Sequence, residues 1–206
     1  MSDAAMQVST ADAPLVPGRE CGSCRACCVA LTIAQPTFRK PQGVPCPHLC
    51  AGGGCGIYLH RPPICRTFFC GWRTNRWVRP TLRPDGSGVL VTDCSGRATA
   101  TQAGQLGVLI MLLRPEGIEA EGLAETVCAP VAAGIPVWIS VASPPGYVAA
   151  HLRIDDKLRE AVRLRNRTKV MRTLRKEWRK LSCQDFRPSE FGEAVFFPAV
   201  PEAPPA

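Results

Sequence analysis

Residues 21–28 read Cys-Gly-Ser-Cys-Arg-Ala-Cys-Cys, and they open a stretch that closes at Cys70. That stretch holds nine of the twelve cysteines: Cys21, Cys24, Cys27, Cys28, Cys46, Cys50, Cys55, Cys65 and Cys70. Two intervening residues let neighbouring sulfurs converge on one ion across a tight turn, the ligand spacing of zinc and iron–sulfur sites. Successive side chains diverge, so the adjacent Cys27 and Cys28 suit two metals, or one polynuclear cluster, better than a single tetrahedral ion. Between Glu20 and Asp85 there is no Asp or Glu, so sulfur is the expected donor, and soft sulfur ligation favours zinc or iron over magnesium or calcium.

The same carboxylate-free run carries nine cations: Arg25, Arg39, Lys40, Arg61, Arg66, Arg73, Arg76, Arg79 and Arg83. Four thiolates around a divalent ion leave surplus negative charge, and these cations are expected to balance it and to bond the sulfurs. The formal net charge of +8 counts every cysteine as neutral, so metallation would reduce it.

Its prolines and the Gly52-Gly53-Gly54 run make the cysteine segment loop-rich. Such a segment buries little apolar surface, and bound metal would supply much of its folding free energy. One short helix is expected from Pro63 to Phe69. Around the segment, residues 1–18 read as a disordered leader, 19–75 as the metal-binding region, 76–197 as an α+β region and 198–206 as a disordered tail. Within the third part, 88–92, 106–113 and 136–142 read as strands and 118–133 as a helix stopped by Gly134. A turn at 143–146 precedes a long helix that Asp155 or Asp156 caps and that ends near Leu181. The fold expected is α+β, with a loop-rich cysteine segment packed on a small mixed sheet with two helices.

Four elements occur in order: the Cys21–Cys28 run, Cys46-Pro-His-Leu49, Cys55-Gly-Ile-Tyr58, and Arg61-Pro-Pro-Ile-Cys65-Arg66. In that combination the chain resembles the YkgJ-type cysteine-cluster family, a zinc- or iron-chelating domain, over roughly residues 18–75. The resemblance implies a metal-binding protein with Cys21, Cys24, Cys27, Cys28, Cys46, Cys55 and Cys65 as principal ligands. Cys50 and Cys70 lie outside the pattern and are candidate extra ligands. Leu59 and His60 stand where family members often carry an acidic residue. Flagellin lysine methylases hold a similar cluster, but no glycine-rich nucleotide loop follows a strand here, so that activity is not carried over.

His48, between Cys46 and Cys50, is a candidate nitrogen ligand. Tyr58, Trp72 and Trp77 read as packing that shields the metal. Cys94, Cys128 and Cys183 are isolated, and Cys128 suits a core position. Residues 157–181 carry eleven Lys/Arg against two Glu, with Leu158, Val162, Val170, Leu174, Trp178 and Leu181 along one stripe. A nucleic-acid or anionic-membrane interface competes here with a plain amphipathic helix whose stripe packs on the sheet. No Ser-His-Asp or paired-carboxylate arrangement is present. The enzymatic alternative is therefore an iron–sulfur cluster serving redox or modification chemistry. With no export signal or membrane-length apolar run, a reducing cytoplasm is the expected compartment, where thiols persist.

Overall fold

The computed structural model describes residues 15–35, 38–93 and 107–188. The expected leader and tail, and Cys94, fall largely or wholly outside these residues. In chain order the elements are α1 (Ala26–Ala30), β1 (Ile33–Gln35), β2 (Phe38–Lys40), α2 (Pro63–Thr67), α3 (Gly71–Thr74), α4 (Pro84–Ser87), β3 (Val89–Asp93) and β4 (Val108–Leu112). They continue with α5 (Leu123–Ala132), β5 (Val137–Val141), β6 (Tyr147–Val148), β7 (His151–Arg153), α6 (Asp155–Arg163), α7 (Arg167–Ser182) and β8 (Arg187–Pro188). This is the expected α+β architecture.

The four-stranded sheet has the order β3-β4-β5-β7. β4 pairs antiparallel with β3 (Leu112 opposite Val89) and parallel with β5 (Val108 opposite Val137); β5 pairs antiparallel with β7 (Ile139 opposite Leu152). Every residue of β4 is buried, because both faces of the sheet are covered. Val89, Val91, Val108, Ile110, Leu112, Val137 and Ile139 pack against Leu123, Val127, Leu158, Val170, Leu174 and Leu181 from α5, α6 and α7. On the other face Leu90, Leu109 and Met111 pack against Ala26 and Ala30 of α1, with Cys24 and Cys70 at the margin. The cysteine segment is thus the second cover of the sheet. Each large side chain it shields contributes about 1.5–3 kcal/mol on complete burial.

Two expected helices differ in extent. The helix expected at 118–133 begins only at Leu123: Gly122 has φ +86°, and residues Pro115–Glu119 form a separate 3-10 turn before it. The long helix expected from 155 to 181 is two helices. Asn166 accepts a hydrogen bond from the Lys169 N–H at 2.9 Å, capping α7, and Arg165 at φ +50° turns the chain between them. Asp155 sits in the first turn of α6 rather than at its cap, and its carboxylate accepts from the Val137 N–H and from Arg153. Burial pushes that carboxyl up, but the Arg153 guanidinium and the Val137 N–H outweigh it and hold it below the usual carboxylate range.

The apolar stripe of 157–181 packs inward as an amphipathic helix would, with Leu158, Val170, Leu174 and Leu181 buried. Much of its charge is paired: Lys157 and Lys180 with Glu177, Lys169 with Glu160, Arg167 with Glu125, Arg175 with Glu119 and Arg159 with Asp156. Trp72, Val78 and Leu82 enter the helix-side core, so residues 71–84 are built into the fold. No helix among the described residues is long and apolar enough to cross a membrane.

Candidate metal centre

The Cys21–Cys28 run forms a turn and then a helix. The Cys24 N–H donates to the Cys21 carbonyl at 2.8 Å, and α1 begins at Ala26, so Cys27 and Cys28 occupy successive helical positions. The next element is tied to this run through the backbone: the Cys46 N–H donates to the Cys28 carbonyl at 2.9 Å. Leu49 and Cys55 form an antiparallel bridge, and the Gly56 N–H donates to the His48 carbonyl at 2.8 Å. The loop between them closes on the first turn, where the Gly54 N–H donates to the Ser23 carbonyl at 3.2 Å. Gly53, at φ +88°, makes that approach possible: a Cβ there would lie 2.4 Å from the Ser23 carbonyl oxygen.

Cys65 is carried by α2, which starts at Pro63 as expected and ends at Thr67. Cys70 caps α3, and its carbonyl accepts from the Arg73 N–H at 2.8 Å. Gly71 brings α3 against the sheet, where a Cβ would lie 2.8 Å from Val91 Cγ1.

These elements enclose a cavity of about 510 Å³. Cys21, Cys24, Cys27, Cys28, Cys46, Cys55, Cys65 and Cys70 all line it, as does His48. Of the two cysteines outside the family pattern, Cys70 belongs to the cavity wall, whereas Cys50 is exposed and does not line it. Cys128 is half-buried against the helix-side core and Cys183 is exposed at the end of α7. All eleven described cysteines are free thiols. As placed, no three His, Cys, Asp or Glu side chains among the described residues form a group that could already hold a metal ion.

Burial dominates the thiol electrostatics. It raises Cys65 to about 11, with Cys28, Cys46 and Cys55 pushing the same way. Cys70 is also raised by burial to about 11, with Cys21 and Cys24 as its neighbouring sulfurs. Burial raises Cys24, Cys46 and Cys55 as well. Cys28 departs from this: a hydrogen bond from the Cys27 thiol lowers it, with help from Lys40 and Arg61, and the same bond raises Cys27.

Lys40 is 0% exposed. Its Nζ donates to the Val29, Pro41 and Val44 carbonyls at 3.0, 3.0 and 2.8 Å. Burial lowers it to about 8, opposed by the nearby Cys46, Cys28, Cys27 and Cys65 sulfurs. Of the nine expected cations, Lys40 and Arg61 line the cavity. Arg83 donates to the Cys21 carbonyl at 3.0 Å from outside it.

Sequence reasoning misplaced two features. Trp72 and Trp77 pack with the helix-side core, and the Trp72 Nε1–H donates to the Pro80 carbonyl at 2.9 Å. Phe38, Phe68 and Phe69 instead supply cavity wall, with the expected Tyr58. A carboxylate also reaches the cavity: Asp93, at the end of β3. Asp93 lies outside the carboxylate-free run in sequence and reaches the cavity because β3 contributes one of its walls. The chain matches no family model, no curated protein and no solved structure.

Proposed function

We propose that this protein binds zinc or iron through clustered cysteine thiolates, as the YkgJ-type resemblance implies. The observation that carries the reading is the gathering of eight thiols, drawn from residues 21 to 70, around one cavity that also holds a buried lysine. An apolar cover for the sheet needs neither eight sulfurs nor a buried ammonium. The donor chemistry fits: thiolates are soft ligands suited to zinc or to an iron–sulfur centre, and Lys40 and Arg61 offset their charge. Cys21, Cys24, Cys27, Cys28, Cys46, Cys55, Cys65 and Cys70 would hold the metal, while Cys50 is dropped from the expected set. Bound metal would cross-link the loops that cover the sheet and, if iron, would add one-electron chemistry.

Because burial raises most of these thiols, metal must displace protons to bind, so affinity rises with pH. The basic α6–α7 pair lends the nucleic-acid reading little support, since its stripe is core and much of its charge is already paired.

Anaerobic purification followed by elemental analysis and visible absorption tests the proposal. Stoichiometric zinc in a colourless protein, or iron with sulfide-to-iron absorption, supports it. A folded, metal-free protein with all cavity thiols titratable would overturn it. Colourless zinc protein would also remove the redox-enzyme alternative.

A further inference from the structure

We infer that a second cavity, on the far side of α1 from the thiols, binds a small organic oxyanion, a carboxylate or a phosphate, anchored by Arg25 and Arg114. This goes beyond the metal-binding reading and does not rest on it.

The sheet makes the opening. β4 and β5 are parallel, so their carboxyl ends lie together, and antiparallel β3 begins at the same end, with Val89 opposite Leu112. Chain leaving neighbouring parallel strands diverges, and the crevice left there is the usual ligand position of open sheets. Here Leu113 and Arg114, after β4, and Ala142 and Ser143, after β5, line a cavity of about 610 Å³. That size lies inside the range of about 300–1,000 Å³ found for small-molecule sites. The cysteine segment closes the other side, with Arg25, Val29 and Gln42 among its contributions. Gly43, at φ +76°, seals the join: a Cβ there would lie 3.0 Å from the Ser143 carbonyl oxygen.

Helical spacing separates this cavity from the thiols. Ala26 and Ala30 of α1 pack on the sheet, while Cys27 and Cys28 line the thiol cavity on one side. Arg25 and Val29, four residues apart and so on one face, line the second cavity on the other side.

The polar groups select an anion. The exposed Arg25 side chain makes no hydrogen bond or ion pair among the described residues, so its whole guanidinium fork is free for an oxyanion. Arg114 is held in place by donating to the Asp85 and Gly86 carbonyls, and it lies over Gly88, where a Cβ would come 2.6 Å from its Cγ. A guanidinium has five N–H donors, so others remain for a ligand. Asp85 also lines the cavity, but its carboxylate is paired with Arg83 at 3.1 Å and accepts from the Gly86 N–H at 3.1 Å. Deeper in, Gln42 is 4% exposed, and among the described residues its Nε2 donates only to Met111 Sδ at 3.7 Å, a weak acceptor. Its second N–H is left for the ligand. Ala26, Val29 and Ala142 give that ligand's body an apolar rest.

The test is amide-correlation NMR of the full-length protein as purified, titrated at constant ionic strength with inorganic phosphate in one arm and malate in the other. Saturable millimolar binding is expected in at least one arm, with shifts centred on Gly43, Gly88, Leu113 and Ser143. The arm that binds more tightly identifies the anion as phosphate or carboxylate. Arg25→Gln removes no hydrogen bond within the described fold, so it should leave the spectrum otherwise intact and weaken binding about tenfold or more. Arg114→Gln should weaken it similarly, and Lys176→Gln, the same charge change on exposed α7, should not. Failure of both anions to saturate would overturn the proposal. So would shifts spread over the basic α6–α7 surface, or affinity that survives Arg25→Gln or falls equally in Lys176→Gln. Metal content, measured on the same samples, reports separately on the thiol cavity.

Discussion

Replacing Lys40 with methionine removes the only buried ammonium in the cysteine segment while keeping its length and apolar stem. The three carbonyls it serves are not equally exposed to the loss. Val29 retains a second donor, the Gly43 N–H at 3.0 Å, but no other hydrogen bond among the described residues reaches Pro41 or Val44. The buried Pro41 acceptor left without a partner costs about 1–3 kcal/mol, and the half-buried Val44 acceptor, which water can reach, costs less. Part of that is returned, because the variant no longer removes a charged group from water. A net loss of about 1–3 kcal/mol follows for the metal-free protein. Urea unfolding followed by circular dichroism measures it, and with an m-value of about 2 kcal/mol/M the midpoint should fall by about 0.5–1.5 M. Lys176→Met, at an exposed position with no ion pair among the described residues, is the control and should stay within about 0.5 kcal/mol. If Lys40→Met were equally silent, Lys40 would not be pinning the loop that places Cys28 and Cys46, and the account of that wall would fail.

Other expectations concern packing, charge and reactivity. Gly71→Ala should destabilise the protein by about 1–3 kcal/mol in the same assay, because its Cβ would press on Val91 and lift α3, and with it Cys70, from the sheet. Glu177 is buried, yet its ion pairs with Lys157 and Lys180 outweigh burial and hold its carboxyl below the ordinary range. A carboxyl lowered in the folded state stabilises fully above its unfolded value and loses that contribution as pH falls through the folded one. Glu177→Gln should therefore cost about 1–3 kcal/mol near neutrality, and thermal melts should show the gap to wild type closing as the solution is acidified below the carboxylate range. Alkylation of the metal-free protein with peptide-resolved mass spectrometry should label the exposed Cys50 and Cys183 first. Cys65 and Cys70 should label last, and faster as pH rises toward about 11.

Local chemistry determined much of this protein from sequence alone. Turn-forming spacings, a proline at the start of α2 and unbroken apolar runs act over a few residues, so the strands at 89–93, 108–112 and 137–141 and the α+β class were legible without a fold. The cysteine elements were legible for the same reason, as was the inward stripe of α6 and α7. The break at Leu164–Asn166 was missed because the helical period runs through it, and Asn166 reveals its capping bond only once the chain has turned.

What tertiary structure decided is which residues from distant elements share a wall. Cys50 and Cys70 looked alike in sequence, each a cysteine beyond the pattern. Cys50 falls in a solvent-facing turn, while Cys70 is carried to the cavity by a helix start that only a glycine lets approach β3. Trp72 is close in sequence to the cavity cysteines yet packs into the opposite core, while Asp93 comes to the cavity from a strand. The all-apolar β4 announced burial, but not that one of its two covers would be the cysteine segment. Periodicity records that a side chain is buried and not what buries it, because contacts across a sheet follow register and layer order rather than distance along the chain.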